Sequence, residues 1–320
     1  MSRIGLLLSM LVVFSCKKEA VFEVNTEAIQ VNYTLKRFEN DFFSKKPLDS
    51  LRKIYPKLMP DQVPDSIFIL DRKDSVLQKL AHDVALQYHD ISDLEHDITA
   101  LIKRVKYYYP KFDVKEVITL INNPNQNNKA IYADSLILIP LESYLGSNSD
   151  YYVRLDQYLK KNKNQRQIIS DITESIANYI VPSDHLDGRY INLLVYEGKK
   201  MLLKDAFLDK TPDSIKIGYT SKELDWVKAN EFRMWNYYLE KEMLFKSDVD
   251  YKRRFMDEAP FSKFYTDNDL EIPARVGVWQ GWQMMRHYLG KNPDKRLQDV
   301  MEETDAEKLY YDSKYKPKKY

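Results

Sequence analysis

Hydrophobic and polar positions recur along the chain with two different periods, and the switches between them mark out its elements. Ile29, Val31, Tyr33 and Leu35 alternate with polar residues, the period of a half-buried strand. Aromatics then fall at helical spacing through Arg37-Phe38-Glu39-Asn40-Asp41-Phe42-Phe43. Residues 71–109 read as two helices. The first ends near His89; the second starts at Ser92, where Glu95 three residues on makes a capping box, and Pro110 closes the pair. Residues 117–121 are a β-branched run, 122–129 a polar turn cluster containing Pro124, and 135–139 a second apolar run, which together predict strands around a loop.

Helical spacing returns over residues 151–181 and ends at Val181-Pro182. Ile191, Leu194, Val195, Gly198 and Leu202 share one stripe of the next helix. Thr220 with Glu223 caps a long helix to about Phe245, whose Leu224, Val227, Phe232, Trp235, Leu239 and Leu244 predict a deeply packed middle. Pro273 suits the first turn of another helix. In it Gly277 and Gly281 share a face and let a neighbouring backbone approach, while Trp279 and Trp282 point elsewhere. Charged helices follow, ending in Lys314, Lys316, Lys318 and Lys319. With no internal repeat and no interdomain linker, the pattern predicts one α+β domain, predominantly helical, with a small sheet.

The start of the chain follows a different rule. Arg3 supplies a positive n-region, and residues 4–14 form an apolar run interrupted only by Gly5 and Ser9, as in an export signal. A permanent span needs about 20 apolar residues to cross roughly 30 Å of hydrocarbon, so this run is too short to be one. Val13-Phe14-Ser15-Cys16 resembles the bacterial lipobox, with small Ser15 admitting signal peptidase and Cys16 supplying the thiol for lipid. Acyl chains on that thioether would hold the protein at a membrane, each buried methylene contributing about 0.8 kcal/mol. Cys16 is the only cysteine among 320 residues. Once it is lipidated, disulfides, thiolate nucleophiles and cysteine-ligated metals are excluded from the mature chain. The expected layout is a signal over 1–15, a tether over 16–28 and a body over 29–320.

Composition narrows the function classes. Lys and Arg number 49 against 48 Asp and Glu, so the formal charge of +1 gives nucleic acid no basic footprint. Eight glycines disfavour doubly wound nucleotide-binding sheets, and 44% hydrophobic content supports a packed core. Neither a G-x-S-x-G elbow nor a phosphate-cradling P-loop occurs. His82, His89 and His96 recur every seven residues but read as polar surface, and His185 and His287 are isolated. The zinc motif H-E-x-x-H is also missing; the comparable stretch of an apolar helix is Tyr196-Glu197-Gly198-Lys199-Lys200. A protonated lysine has no lone pair for zinc, so no metal and no cofactor is expected. Glu231, on the long helix, stands where a third ligand would, and the Lys200 ammonium is expected near its carboxylate.

Several segments together resemble the GldB family of gliding motility lipoproteins of Bacteroidetes. They are the lipobox, Lys36-Arg37-Phe38-Glu39 with Asp41-Phe42-Phe43, Tyr108-Tyr109-Pro110-Lys111-Phe112, Ile139-Pro140-Leu141-Glu142-Ser143-Tyr144-Leu145-Gly146, Tyr196-Glu197-Gly198-Lys199-Lys200 and Asn230-Glu231. Pro273-Ala274-Arg275-Val276-Gly277-Val278-Trp279-Gln280-Gly281-Trp282 and Ser313-Lys314-Tyr315-Lys316-Pro317 continue it to the end. Glu142 and Ala274 depart from the family's expected Asp and Gly. The resemblance implies a role in gliding and in the associated type IX secretion apparatus, with protein partners there. It also implies a degenerate zincin-like body, in which Tyr196, Glu197, Lys200 and Glu231 mark a peptidase site without metal ligands. Lys17-Lys18-Glu19 after the cysteine points to the periplasmic side of the envelope. Two alternatives stay open: a lipid-anchored hydrolase acting through Glu197 and Glu231, and a glycan binder using exposed Trp279 or Trp282.

Overall fold

The computed structural model describes residues 22–122, 128–183 and 186–319. Cys16, the expected export signal and His185 lie outside the described residues. Four strands form one sheet: β1 (Thr34–Arg37), β2 (Glu116–Leu120), β3 (Ile131–Ala133) and β4 (Leu136–Pro140), in the order β1-β2-β4-β3. The pairs β1·β2 and β2·β4 are parallel, while β3 and β4 form an antiparallel hairpin turned by Asp134 and Ser135, both at positive φ. The predicted first strand is shorter than its alternating pattern. Pairing begins at Thr34 because its partner Glu116 is the first residue of β2, so residues 29–33 have no neighbouring strand to join.

Helices α1 (Phe38–Phe42), α2 (Leu48–Ile54), α3 (Asp65–Lys73), α4 (Ser75–Gln87) and α5 (Ser92–Tyr108) fill the crossover from β1 to β2. After the sheet come α6 (Gln157–Lys160), α7 (Ile168–Ile180), α8 (Tyr190–Phe207), α9 (Asp213–Ile217), α10 (Ser221–Glu240), α11 (Val249–Phe255), α12 (Val276–Lys291), α13 (Leu297–Glu302) and α14 (Ala306–Ser313). The two faces of the sheet bury different sets, as the pleat requires. Ile118, Leu136 and Leu138 join Phe42, Leu51, Tyr55, Met59 and Phe68 in a small core under α1–α3. Val117, Ile137 and Ile139 face the large core built around α5, α7, α8, α10 and α12. The result is one mostly helical body with a small mixed sheet, as the periodicity predicts.

Helix α8 is the axis of that core: fifteen of its eighteen residues are buried. It crosses α12 at a contact made possible by glycine on both sides. A Cβ on Gly281 would lie 2.0 Å from the Leu194 carbonyl oxygen, and one on Gly198 would lie 2.3 Å from the Gly281 carbonyl oxygen. The close approach expected of Gly281 is therefore made, and Gly198 is its counterpart. Gly277 meets Met256 and the Phe255 carbonyl instead. Trp279 and Trp282 are both buried, which removes the expected exposed tryptophan platform for glycans.

Local polar contacts explain where helices stop or start differently from the pattern. Thr220 and Glu223 form the predicted capping box. The one expected at Ser92 does not form, because Ser92 is already helical and its N–H donates to Asp90 Oδ1 at 2.8 Å. Residues 151–181 are not one helix: Asn162 and Asn164 side chains donate to backbone carbonyls, and after the single turn of α6 helix resumes at Ile168. Helix α10 ends at Glu240 rather than near Phe245, with Glu242 in the left-handed region. Arg275, at φ +61°, delays the start of α12 to Val276, so Pro273 lies outside the helix.

Candidate functional site

Charged side chains inside an otherwise apolar helix need partners, and those of α8 recruit them from α7 and the loops around it. Lys204 Nζ donates to Glu174 at 2.7 Å, to the Lys216 carbonyl at 2.8 Å and to Ser170 Oγ at 3.2 Å. Arg275, set at the mouth of α12 by its left-handed backbone, donates to the Ile217 carbonyl and lies 3.6 Å from Glu174. Burial pushes the Glu174 carboxyl up, but Lys204, Arg275 and Lys200 outweigh it and hold it well below the usual carboxylate range. Burial lowers the Lys204 ammonium, which Glu174 only partly restores. Although Lys204 touches the Ser170 hydroxyl, the pair is no nucleophile and base: Ser170 is buried and donates to backbone carbonyls, and the lysine is tied to a carboxylate.

Next to this pair, Asp171 accepts from the Tyr144 hydroxyl at 2.9 Å. Burial raises the Asp171 carboxyl, against the pull of Lys129 and Lys204. A cavity of about 20 Å³ opens here between Tyr144, Asp171, Lys129, Lys163, Tyr158 and Glu258. Lys129 pairs with Glu258 across it. Glu142 lies nearby, only 1% exposed, and neither of its carboxylate oxygens has a hydrogen-bond partner among the described residues. Burial pushes its carboxyl up to about 7, with Asn122, Asn128 and Lys163 offsetting part of the rise.

The four residues expected to mark a degenerate peptidase site fall into two separate places. Lys200 pairs with Glu197 one turn earlier at 3.0 Å and lies over the Tyr196 ring at 4.9 Å. Burial lowers the Lys200 ammonium, and Glu197 with Glu174 more than reverses it. Glu231 is not part of that group. Its carboxylate accepts from the Tyr315 hydroxyl at 2.7 Å and the Trp279 indole N–H at 3.2 Å. The expected Lys200–Glu231 ion pair is therefore replaced by two other arrangements, Lys200 with Glu197 and Glu231 with Tyr315 and Trp279. Burial raises the Glu231 carboxyl against those two donors. Lys199 points a third way: it is buried, lowered by burial to about 8, and donates to the carbonyls of Met301 and Glu303 at the end of α13.

His82, His89 and His96 are exposed, and His287 Nδ1 lies 2.6 Å from the Ser313 carbonyl. Among the described residues no group of three or more His, Cys, Asp or Glu side chains is placed to hold a metal. The larger cavity, about 550 Å³, is an open cleft between α1 and α4, lined by Glu39, Phe43, Arg72, Gln78 and His82 among others. Its polar groups are engaged from within. Glu39 accepts from Arg37 and from Thr119 at 2.8 Å each, and Arg72 donates to the carbonyls of Phe42 and Lys46. Sequence reasoning missed both this cleft and the Asp171–Glu174–Lys204–Arg275 cluster. The cluster did leave a trace, since Lys200 and Lys204 interrupt the apolar stripe of α8 one turn apart.

No curated protein and no solved structure matches the chain. The family described as gliding motility protein GldB matches residues 19–317, nearly the whole length, and the chain belongs to that family.

Proposed function

We propose that the protein is a lipid-anchored, non-catalytic part of the cell envelope on which gliding motility depends, working by contact with other proteins. Family membership gives the gliding lipoprotein role. An export signal over 1–15 and lipid on Cys16 support a place at the membrane, with Lys17-Lys18-Glu19 favouring the periplasmic side; the tether is shorter than the expected 16–28, because Phe22 already packs on the large core. The same resemblance extends the reading to the type IX secretion apparatus. The observation that favours a binding role over chemistry is the pairing inside the body: Lys200 with Glu197, and Lys204 and Arg275 with Glu174. Lys200, Lys204 and Arg275 are each neutralised by a neighbouring carboxylate, and buried Lys199 is held by backbone carbonyls, which suits a rigid scaffold.

The test is complementation of a deletion strain. Wild-type protein and Ser170→Ala should both restore spreading and fractionate with membranes. Cys16→Ser should leave the membrane fraction and lose spreading. Full spreading with Cys16→Ser would refute the anchored role, and loss of spreading with well-folded, membrane-bound Ser170→Ala would refute the non-catalytic one.

A further inference from the structure

The lipid anchor and the body are joined by a very short piece of chain. Phe22 packs on the large core, and Arg104 of α5 donates to its carbonyl at 2.8 Å. That arginine is itself fixed: it donates to the Ala206 carbonyl near the end of α8 at 2.7 and 2.9 Å and pairs with Asp209 at 2.9 Å. Five residues separate Cys16 from Phe22, a reach of at most about 22 Å when fully extended. A body of this length has a diameter of roughly 50 Å. Only the side that carries Phe22 can therefore come down on the lipid.

That side has the chemistry of a membrane interface. Tyr107, one turn beyond Arg104, is exposed and stacks edge-on with Tyr108. Exposed or half-buried Lys103, Lys106, Lys111 and Lys210 surround the pinning contact in sequence. Tyrosine and lysine are the residues that favour the boundary between headgroups and water, the ring lying among headgroups and the ammonium reaching lipid phosphates. The opposite end of α8 is some 26 Å away along the helix axis. There Tyr190 N–H bonds to the Lys246 carbonyl, and Phe245 stacks on exposed Tyr311.

We propose that the C-terminal ends of α5 and α8, with Tyr107, Lys111 and Lys210, form a membrane-resting face, and that Arg104 positions it by gripping Phe22. The proposal rests on lipid at Cys16. It places the Phe245–Tyr311 end of the molecule away from the bilayer.

Because the body has no cysteine, single substitutions give unique labelling sites. The acylated full chain is placed in phosphatidylethanolamine–phosphatidylglycerol vesicles carrying a headgroup quencher, with a fluorophore at Lys111→Cys, Lys210→Cys or Tyr311→Cys. The first two labels should be quenched and the third should not. A Gly-Ser spacer of ten residues between Lys18 and Glu19 should abolish the difference while the protein stays bound. Vesicle-bound protein with equal quenching at all three sites, or with the Tyr311 site quenched most, overturns the resting face alone. Failure of the acylation-competent chain to bind vesicles, with an unmodified Cys16 by mass spectrometry, overturns the anchor and the face together.

Discussion

Glu142 is a carboxyl group placed where its charged form is poorly supported. Its neutral form is favoured up to about pH 7 in the folded protein, burial being the main cause. In the unfolded chain the same group ionises near about 4.3. Between those values the native state holds a proton that the unfolded state releases, so folding stability is greatest at the acid end and falls as pH rises through the window. Glu142→Gln keeps the neutral shape. Urea denaturation of the variant should therefore lose most of this pH slope and show about 2–3 kcal/mol more stability than the parent at pH 8. An unchanged slope would show that Glu142 is ionised and satisfied. The residue is visible in the sequence as the one charge in the apolar run of residues 136–145, but no pattern reveals that its oxygens have no donor among the described residues. The same is true of Glu231. Its position on the long helix is legible, whereas its partners Trp279 and Tyr315 come from segments far along the chain, and only the fold brings them together.

At the scale of elements, the crossing of α8 and α12 decides the core. Gly281→Ala puts a methyl group into the Leu194 carbonyl, backbone against backbone, with no flexible side chain to yield. The variant should lose at least about 3 kcal/mol in urea denaturation, the upper range for overpacking. Gly290→Ala, on the same helix with nothing within 4 Å, is the matched control and should be neutral or gain up to about 1 kcal/mol. Equal effects would mean that the helices are not in backbone contact. Periodicity found the long helices and Thr220–Glu223 because those signals are local. It misjudged boundaries where side-chain partners decide: Asn162 and Asn164, whose amides break up 151–167, and Arg275, whose left-handed backbone starts α12 late and whose guanidinium lies 3.6 Å from Glu174. Strand β3 is three residues long, too short to show a period, and exists because β4 offers it an edge.

Over the whole molecule, the two ends of the described chain are both structural. Phe22 is gripped at one end. At the other, α14 packs along α12, and Tyr315, buried, places its hydroxyl 2.7 Å from both Glu231 and Gln280. Removing residues 306–320 would open Trp235, which packs on Tyr310 and Tyr315, to water and leave Glu231 buried with Trp279 as its donor. Such a truncation should lose its cooperative thermal transition and become sensitive to trypsin, while removal of Lys318 and the residues after it should change neither. A truncated body that melts like the parent would make the C-terminal segment an appendage.

The parallel pairing of β1 with β2 also carries a consequence for how the protein is made. A chain is synthesised amino end first, so Thr34–Arg37 appear long before Glu116–Leu120 and Leu136–Pro140. Contacts that join such distant stretches form slowly, because the loop between them must close before any bond is gained. Until then the five helices of the crossover wait beside a strand edge with no neighbour. That interval is when a nascent copy is open to aggregation, and when a chaperone would have its opportunity.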